Sequence, residues 1–496
     1  MYLIRGAGKI HYPTMISHFR RMSTKRDKLV SPPIVYVKGE EMTRYVGQLM
    51  ISKWIEPHID ISSWEFYDLS CKTRDNTNDQ ILKDVIEAGK RIRSIFKEPT
   101  ITPTEDQIKS LNLSGPLPSP NGAMRKGWNG ITISRDTIHL DGIDLGYKDP
   151  VMFERHAVGG EYEAGWKQVN KGKVITTFYP DNPNDYPVIV DHRRLHNEKN
   201  VVVVYHNPLD NVAKLADQFF ERTLKAGITP YVVTKKTVFK WQEEFWNIHK
   251  RVFKEKYESK FKEKGLLKET GGELKHIISD AATIQIIKWN KGGFGMSAHN
   301  YDGDMLTDEV AQVHRSPGFV TSNLIGENED GAIIKEFEAS HGTVTDMWNA
   351  HLNGKNTSFN PLGMAEALLG ALTYSSVTHQ SKEDSIQMEK FINTLRNSIN
   401  FCFKIGKGTK DISGSNGLTT EEFIEKVCFY MKNGIPNEEH NHNVINIGEE
   451  DIKAQVDIKK IEEMFNDFDI DKNGSINKEE FTKMMVKLRL APLLIE

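Results

Sequence analysis

The chain has 496 residues, 38% of them hydrophobic, and a formal net charge of -3 at pH 7. That length supports a large core and exceeds one simple domain, while the near-neutral charge leaves no electrostatic footprint for nucleic acid. Three cysteines without close spacing, Cys71, Cys402 and Cys428, exclude a disulfide framework and a Cys-rich zinc site and fit a reducing compartment, and no apolar run approaches the length of a transmembrane helix.

The first 26 residues carry Arg5, Lys9, Arg20, Arg21, Lys25 and Arg26 and no Asp or Glu. Hydroxyl and apolar residues lie between the charges, as in a mitochondrial transit peptide, and residues 1–28 are expected to serve as one; a basic tail is the bland alternative. Ile34 to Val37 reads as a short strand, 45–56 as helix, Trp64 to Leu69 as a strand and 78–96 as an amphipathic helix. Strands alternating with helices imply an α/β class with a largely parallel sheet. Val174 to Tyr179 and Val188 to Val190 are β-rich and flank the turn-forming stretch from Pro180 to Pro187, which points to a small inserted β element and a dimer contact. Val201 to Val204 reads as a buried strand. Helices return after Pro208, with a charged, aromatic-studded region over 241–262 and another helical stretch over 361–402. Residues 432–455, rich in Asn, Glu, His and Gly, read as a solvated linker, although His440 and His442 with nearby acids offer possible metal ligands.

The chemistry concentrates on Asn300-Tyr301-Asp302-Gly303-Asp304-Met305-Leu306-Thr307-Asp308. If a helix starts at Gly303, Asp304 and Asp308 project from one face. Two such carboxylates suit a hard divalent cation such as Mg2+; the bland reading is an acidic helix start favoured by the helix dipole. Arg125, Arg135 and Arg155 follow or lie within polar stretches. Arginine suits bidentate carboxylate recognition, so three of them suggest a substrate with several carboxylates, although any one of them is more often a surface ion pair.

Several ordered stretches carry a resemblance. They are Glu41-Met42-Thr43-Arg44, Arg74 to Gln80, Thr100 to Pro103, Ser119 to Gly122, Arg155-His156-Ala157, Asn300 to Asp304 and His341 to Thr345. Over residues of about 32 to 431 the chain resembles the dimeric eukaryotic-type isocitrate dehydrogenases of the isocitrate/isopropylmalate dehydrogenase family; the Ser119-Pro120-Asn121 loop disfavours the isopropylmalate branch. The resemblance implies a non-Rossmann α/β fold, and no Gly-x-Gly-x-x-Gly follows a strand. It implies a large domain (29–128 and 314–431), a small domain (129–159 and 208–313) and a β-rich clasp (160–207) exchanged between subunits. It implies isocitrate on Thr102, Ser119, Asn121, Arg125, Arg135 and Arg155, and Mg2+ or Mn2+ on Asp304 and Asp308, joined by the partner subunit's Asp280. Tyr162 and Lys235 are the implied acid–base pair, Lys235 needing a lowered pKa to act as base. Outside the resemblance, Tyr162 reads as core packing and Lys235 as a surface charge. Ala281 and Val158 depart from the pattern, at positions where relatives often carry Asp and Tyr.

The implied cofactor residues are Lys97, Thr100, Gln285, Lys288, Glu338, His341, Gly342, Thr343, Val344, Thr345, Asp346, Met347 and Asn360. NADP-dependent relatives usually carry Arg-His where this chain has Asp346-Met347. A carboxylate there can accept the 2'-hydroxyl of NAD and repels a 2'-phosphate. A unit-charge pair at about 4 Å is worth roughly 4 kcal/mol at an effective dielectric near 20, before screening. Gln107 stands near another Arg position of the relatives, whereas Gln285 and Lys288 are retained. NAD is therefore the expected cofactor, and NADP the alternative.

Residues 456–496 form a further module. Asp469 to Glu480 fits the twelve-residue EF-hand loop: Asp469, Asp471 and Asn473 supply side-chain oxygens, Gly474 the sharp turn, Ser475 its carbonyl, and Glu480 two closing oxygens. Apolar faces, Ile461 to Phe468 and Phe481 to Leu488, flank the loop. Ca2+ is the expected ligand. EF-hands normally pair, so a lone hand implies pairing across a dimer. The competing reading of the whole chain is a calcium sensor on an inactive dehydrogenase scaffold, which the intact Tyr162, Lys235, Asp304 and Asp308 oppose.

Overall fold

The computed structural model describes residues 28–436. The chain divides into one unit ending at Asn433 and another beginning at Gly434. The basic leader, most of the linker and the calcium ligands Asp469, Asp471, Asn473, Ser475 and Glu480 lie outside the described residues.

A ten-stranded sheet runs through the first unit in the order 275–278, 229–234, 294–298, 151–156, 132–136, 321–327, 333–339, 94–97, 35–38, 65–68. The first four strands are mutually parallel, as are the last four. The two middle strands, Thr132–Asp136 and Thr321–Glu327, run antiparallel to their neighbours and to each other, so they weld two parallel blocks together. Helices cover both faces. In the second block Val35, Val37 and Ile95 pack with Leu82, Val85 and Ala88 of helix Gln80–Ile92. Ile34, Tyr36 and Phe96 point the other way, into a core built on helices Glu41–Met50, Leu362–His379 and Lys382–Lys404. Sequential side chains alternate across a strand, which is why one short strand feeds two cores. Helix Leu362–His379 is apolar around most of its circumference, as a buried helix must be. No described helix is long and apolar enough to cross a membrane.

Three expectations need correcting. The helix expected over 78–96 ends at Ile92; Arg93 turns left-handed at φ +67° and Ser94–Lys97 is a buried strand. Helix Asn300–Val313 starts three residues before Gly303. Asn200–Val204 is a strand, but Val201 is 57% and Val203 52% exposed. It pairs antiparallel with Gly165–Val169, and between them Gly172–Phe178 pairs antiparallel with Val188–Leu195. These two-stranded sheets have no apolar layer of their own chain over Ile175, Phe178, Val188, Ile189 and Val190, all exposed.

Candidate active site

The site begins with strand register. Ile133 lies opposite Arg155, and Arg135 opposite Phe153, in the antiparallel pair 132–136 and 151–156. Arg135 and Arg155 therefore share one face of the sheet, one diagonal apart. Arg125 comes from helix Pro120–Gly127, whose start is capped by the Ser119 hydroxyl accepting from the Gly122 amide. Helix Asn300–Val313 lies directly over Arg155, and only a glycine fits between: a Cβ on Gly303 would come 2.8 Å from the Arg155 Cβ.

The next residue of that helix, Asp304, is the hub. The Arg155 Nη1 donates to Asp304 Oδ1, while the Arg155 Nε donates to Asn300 Oδ1 at 2.9 Å. The Arg135 Nη2 lies 3.1 Å from the same Asp304 oxygen, and its Nη1 donates to Thr307 Oγ1 at 2.6 Å and lies 3.6 Å from Asp308 Oδ1. The Tyr162 hydroxyl donates to Asp304 Oδ2, and the Arg155 guanidinium sits 5.0 Å from the centre of the Tyr162 ring.

Charge sets the protonation states. Burial works to raise Asp304, but the charges of Arg155 and Arg135, with the Tyr162 hydroxyl, outweigh it and hold its carboxyl below the usual range. Burial raises Asp308, with Asp304 adding to the effect and Arg135 opposing it. Burial also lifts the Tyr162 hydroxyl to about 12, helped by its bond to Asp304. A phenol so held keeps its proton at neutral pH. Arg125 and Arg155 are pushed down by burial and by their guanidinium neighbours. Such a cluster of cations is relieved by a polyanionic ligand.

Lys235 and Asp280 stand apart from this group. The Lys235 Nζ lies 2.5 Å from Asp280 Oδ1, with Lys235 directly after strand Thr229–Thr234 and Asp280 in the first turn of helix Ser279–Lys288. Among the described residues no three His, Cys, Asp or Glu side chains are grouped to hold a metal ion, so one chain does not bring Asp280 to Asp304 and Asp308. Asp304 and Asp308, both within reach of Arg135, still offer the carboxylate oxygens that a hard cation takes. On the helix that carries Asp280, Ile284 and Ile287 are exposed, as are Tyr301 and Met305 on helix Asn300–Val313. Gln285 and Lys288 lie on the same helix as Asp280.

Beside Arg125 lies a buried ionic cluster. Lys97, 1% exposed, is ion-paired with Glu338 and lies 3.8 Å from Glu336 Oε1. That Glu336 oxygen has no hydrogen-bond partner, and Glu336 lines a small cavity together with Lys97, Asn121, Arg125 and Glu338. Burial and the Glu338 charge push Glu336 up to about 8; for Glu338 burial is outweighed by Lys97, which holds it low. The Thr100 hydroxyl lies 3.5 Å from Asn121 Oδ1, and Thr102 is exposed.

Farther along, His341 donates to the Gly342 carbonyl at 2.9 Å and meets the Phe359 ring edge-on at 5.3 Å. Val344 is left-handed, at φ +58°, and caps helix Thr345–Leu352, whose first turn contains exposed Asp346. Met347 packs against the core. Asn360 opens helix Leu362–His379 by accepting from the Leu362 amide at 3.0 Å and donates to Asp411 at 2.8 Å. Gln107 is engaged locally, in a capping box with Thr104 at the start of helix Glu105–Ser110. Asn300 and Thr307 lie within the stretch singled out in the sequence, but their bonds to Arg155 and Arg135 were not expected, and Glu336 was not expected in the site at all. Thr307 was findable, because it lies between Asp304 and Asp308 on one helix; nothing local marked Glu336.

The isocitrate/isopropylmalate dehydrogenase pattern matches residues 30–427, and an EF hand domain pattern matches residues 460–488. The chain belongs to the isocitrate/isopropylmalate dehydrogenase family. It is 56% identical over 485 residues to the mitochondrial isocitrate dehydrogenase [NAD(+)] 1 of Phaeodactylum tricornutum, covering 95% of this chain and 88% of that one. It is 57% identical over 426 residues to the mitochondrial isocitrate dehydrogenase (NAD(+)) of Ostreococcus tauri, covering 85% of this chain and 90% of that one. An isocitrate dehydrogenase [NADP] of Saccharomyces cerevisiae is 33% identical over 416 residues, covering 81% of this chain and 94% of that one. A crystal structure of the Ostreococcus tauri isocitrate dehydrogenase with isocitrate and magnesium(II) matches with a TM-score of 0.78 and 59% identity, over 81% of this chain and all of that one.

Proposed function

We propose that this family member oxidises and decarboxylates isocitrate to 2-oxoglutarate and CO2 with NAD as hydride acceptor, inside mitochondria. It is an isocitrate dehydrogenase of the NAD-dependent, mitochondrial kind. The observation that carries the reading is the meeting of Arg135, Arg155 and Tyr162 on Asp304, beside Arg125 and Asp308. Three guanidiniums recognise a tricarboxylate, and two carboxylates on one helix suit a divalent cation. The likeness to an enzyme crystallised with isocitrate and magnesium(II) supports both roles.

In this reading Arg125, Arg135 and Arg155, with Thr102, Ser119 and Asn121, bind and orient the substrate carboxylates. Asp304 and Asp308, with the partner subunit's Asp280, hold Mg2+ or Mn2+. A cation bound there supplies Lewis-acid polarisation of the substrate oxygen. Lys235 takes the hydroxyl proton, and Tyr162, kept protonated, returns a proton to carbon after CO2 leaves. Lys235 and Asp280 lie together, and among the described residues Asp280 is not grouped with Asp304 and Asp308. In this reading the complete site is composite, built from two copies of the chain. The exposed Ile284, Ile287, Tyr301 and Met305, and the apolar clasp strands, are the surfaces such a homodimer covers. NAD is preferred because Asp346 repels a 2'-phosphate; Lys97, Thr100, Gln285, Lys288, Glu338, His341 to Met347 and Asn360 form the cofactor site.

The EF-hand makes the enzyme responsive to Ca2+. Its binding exposes apolar surface on sensor hands, and a coupling of about 1–3 kcal/mol corresponds to roughly 5–150-fold in affinity. The test is isocitrate-dependent reduction of NAD and NADP at fixed Mn2+, with Ca2+ or with a calcium-selective chelator. Activation by Ca2+ that Glu480→Gln abolishes supports regulation. Identical rates leave a structural calcium site. Preference for NADP overturns the cofactor assignment, and no turnover with either leaves the chain a calcium-binding scaffold.

A further inference from the structure

We infer that Glu41 is the positioning residue of the cofactor loop, a latch that holds Val344 in its left-handed conformation. The inference rests on reading residues 341–347 as that loop. Glu41 Oε2 accepts hydrogen bonds from the Thr343 hydroxyl at 2.5 Å and from the Thr345 hydroxyl at 2.7 Å. One carboxylate oxygen thus ties together the residues on either side of Val344. Val344 has φ +58°, a conformation that a β-branched residue adopts only when its surroundings impose it.

The latch itself is anchored from several directions. Glu41 is left-handed too, at φ +57°, at the start of helix Glu41–Met50. Before it, the Gly39 amide donates to buried Glu98 at 2.7 Å, and Glu40 accepts from the Cys71 amide at 2.9 Å. After it, Arg44 bonds both Asp68 oxygens, at 3.1 and 2.9 Å. The two helices also touch: the Tyr45 and His351 ring centres are 4.4 Å apart, tilted at 39°. Glu41 therefore projects from a fixed base. With Val344 held, helix Thr345–Leu352 opens at a fixed point and Asp346 is set in its first turn. A loop already in its binding conformation avoids the ordering cost at the moment of cofactor capture.

Glu41→Ala should raise KM for NAD about tenfold and leave kcat and KM for isocitrate within twofold. In the ligand-free protein, amide exchange over residues 342–346 should quicken while the strands keep their protection. Glu41→Gln retains an acceptor oxygen and should stay close to the parent. Glu41→Asp keeps the charge but is one methylene short, and should fall between. Adding Val344→Gly to Glu41→Ala should recover part of the lost affinity, since glycine adopts positive φ without help. Unchanged KM for NAD with unchanged exchange in Glu41→Ala overturns the latch, as does a uniform fall in kcat with a rise in both KM values. Should the parent protein reduce neither nicotinamide, the functional reading fails, and amide exchange still decides whether Glu41 holds the loop. If Glu41→Ala does not fold, Glu41→Asp carries the same measurements.

Discussion

Gly303→Ala is the sharpest perturbation of the site. The added methyl would sit 2.8 Å from the Arg155 Cβ and 2.9 Å from its Cγ, where ordinary contact needs at least 3.4 Å. Helix Asn300–Val313 and strand Val151–His156 must therefore part by roughly 0.6 Å, close to the 0.5 Å tolerance of a working site. Overpacking costs about 1–3 kcal/mol, and replacing glycine within a helix returns about 0.5–1 kcal/mol. The net loss of stability should be about 0–2.5 kcal/mol, too little to unfold the chain. Activity should suffer far more, because the shift separates Arg155 from Asp304, the ion pair on which the site is built. A misplacement near 1 Å costs about 100-fold in rate, so kcat/KM for isocitrate should drop by tens to about 100-fold. Steady-state kinetics beside thermal unfolding separates the two effects. A variant with full activity and raised apparent Kd for neither isocitrate nor Mg2+ would refute the claim that glycine is there to seat the helix on Arg155.

Three further outcomes follow from the same geometry. Asp308→Asn should abolish metal-dependent turnover with little loss of stability, because Asp308 is exposed and its ion pair to Arg135 is loose at 3.6 Å; titration with Mn2+ reads it. Asp346→Arg with Met347→His should shift kcat/KM from NAD towards NADP by at least tenfold, the exposed Asp346 being simple to replace. Glu336 has a folded pKa raised to about 8, so the folded state holds an extra proton between the ordinary carboxylate range and that value. The stability tied to this proton is fully present below about pH 4 and is lost as pH rises through about 8. Glu336→Gln should therefore gain in unfolding temperature relative to the parent as pH rises from about 5 to 8; a constant difference would show that Glu336 is ionised throughout.

Much of the site was legible because its parts are local. The four-residue spacing of Asp304 and Asp308 is a property of one helix, and the EF-hand pattern is a contiguous run, matched over residues 460–488. The convergence of Arg125, Arg135 and Arg155 was readable only through resemblance, since it depends on the register of 132–136 against 151–156. Strand Ser94–Lys97 was hidden behind the preceding helix: Arg93 ends that helix without a glycine, and periodicity does not separate a short buried strand from a last helical turn. The valines of 200–204 misled for a different reason. β-Branched residues report that a surface prefers to be covered, not whether their own chain covers it. The contacts of Glu336 and Glu41 were invisible, because their partners lie 239 and more than 300 residues away in sequence.

The welded sheet also sets a timetable for folding. Strand Ser94–Lys97 pairs on one side with Val35–Lys38 and on the other with Ile333–Ala339, so Ser94 awaits Lys335, about 240 residues later. During synthesis at about 5–20 residues per second, that edge stays open for roughly 12–50 seconds. An open apolar strand edge is a template for pairing with another chain. Loop closure over such a span also makes the last block slow to dock. The nascent chain therefore passes through a long stage in which its first hundred residues have helices but no finished sheet. Holdase chaperones that shield that edge should raise the yield of folded chain, and truncation before residue 333 should leave a product that aggregates rather than a smaller stable domain.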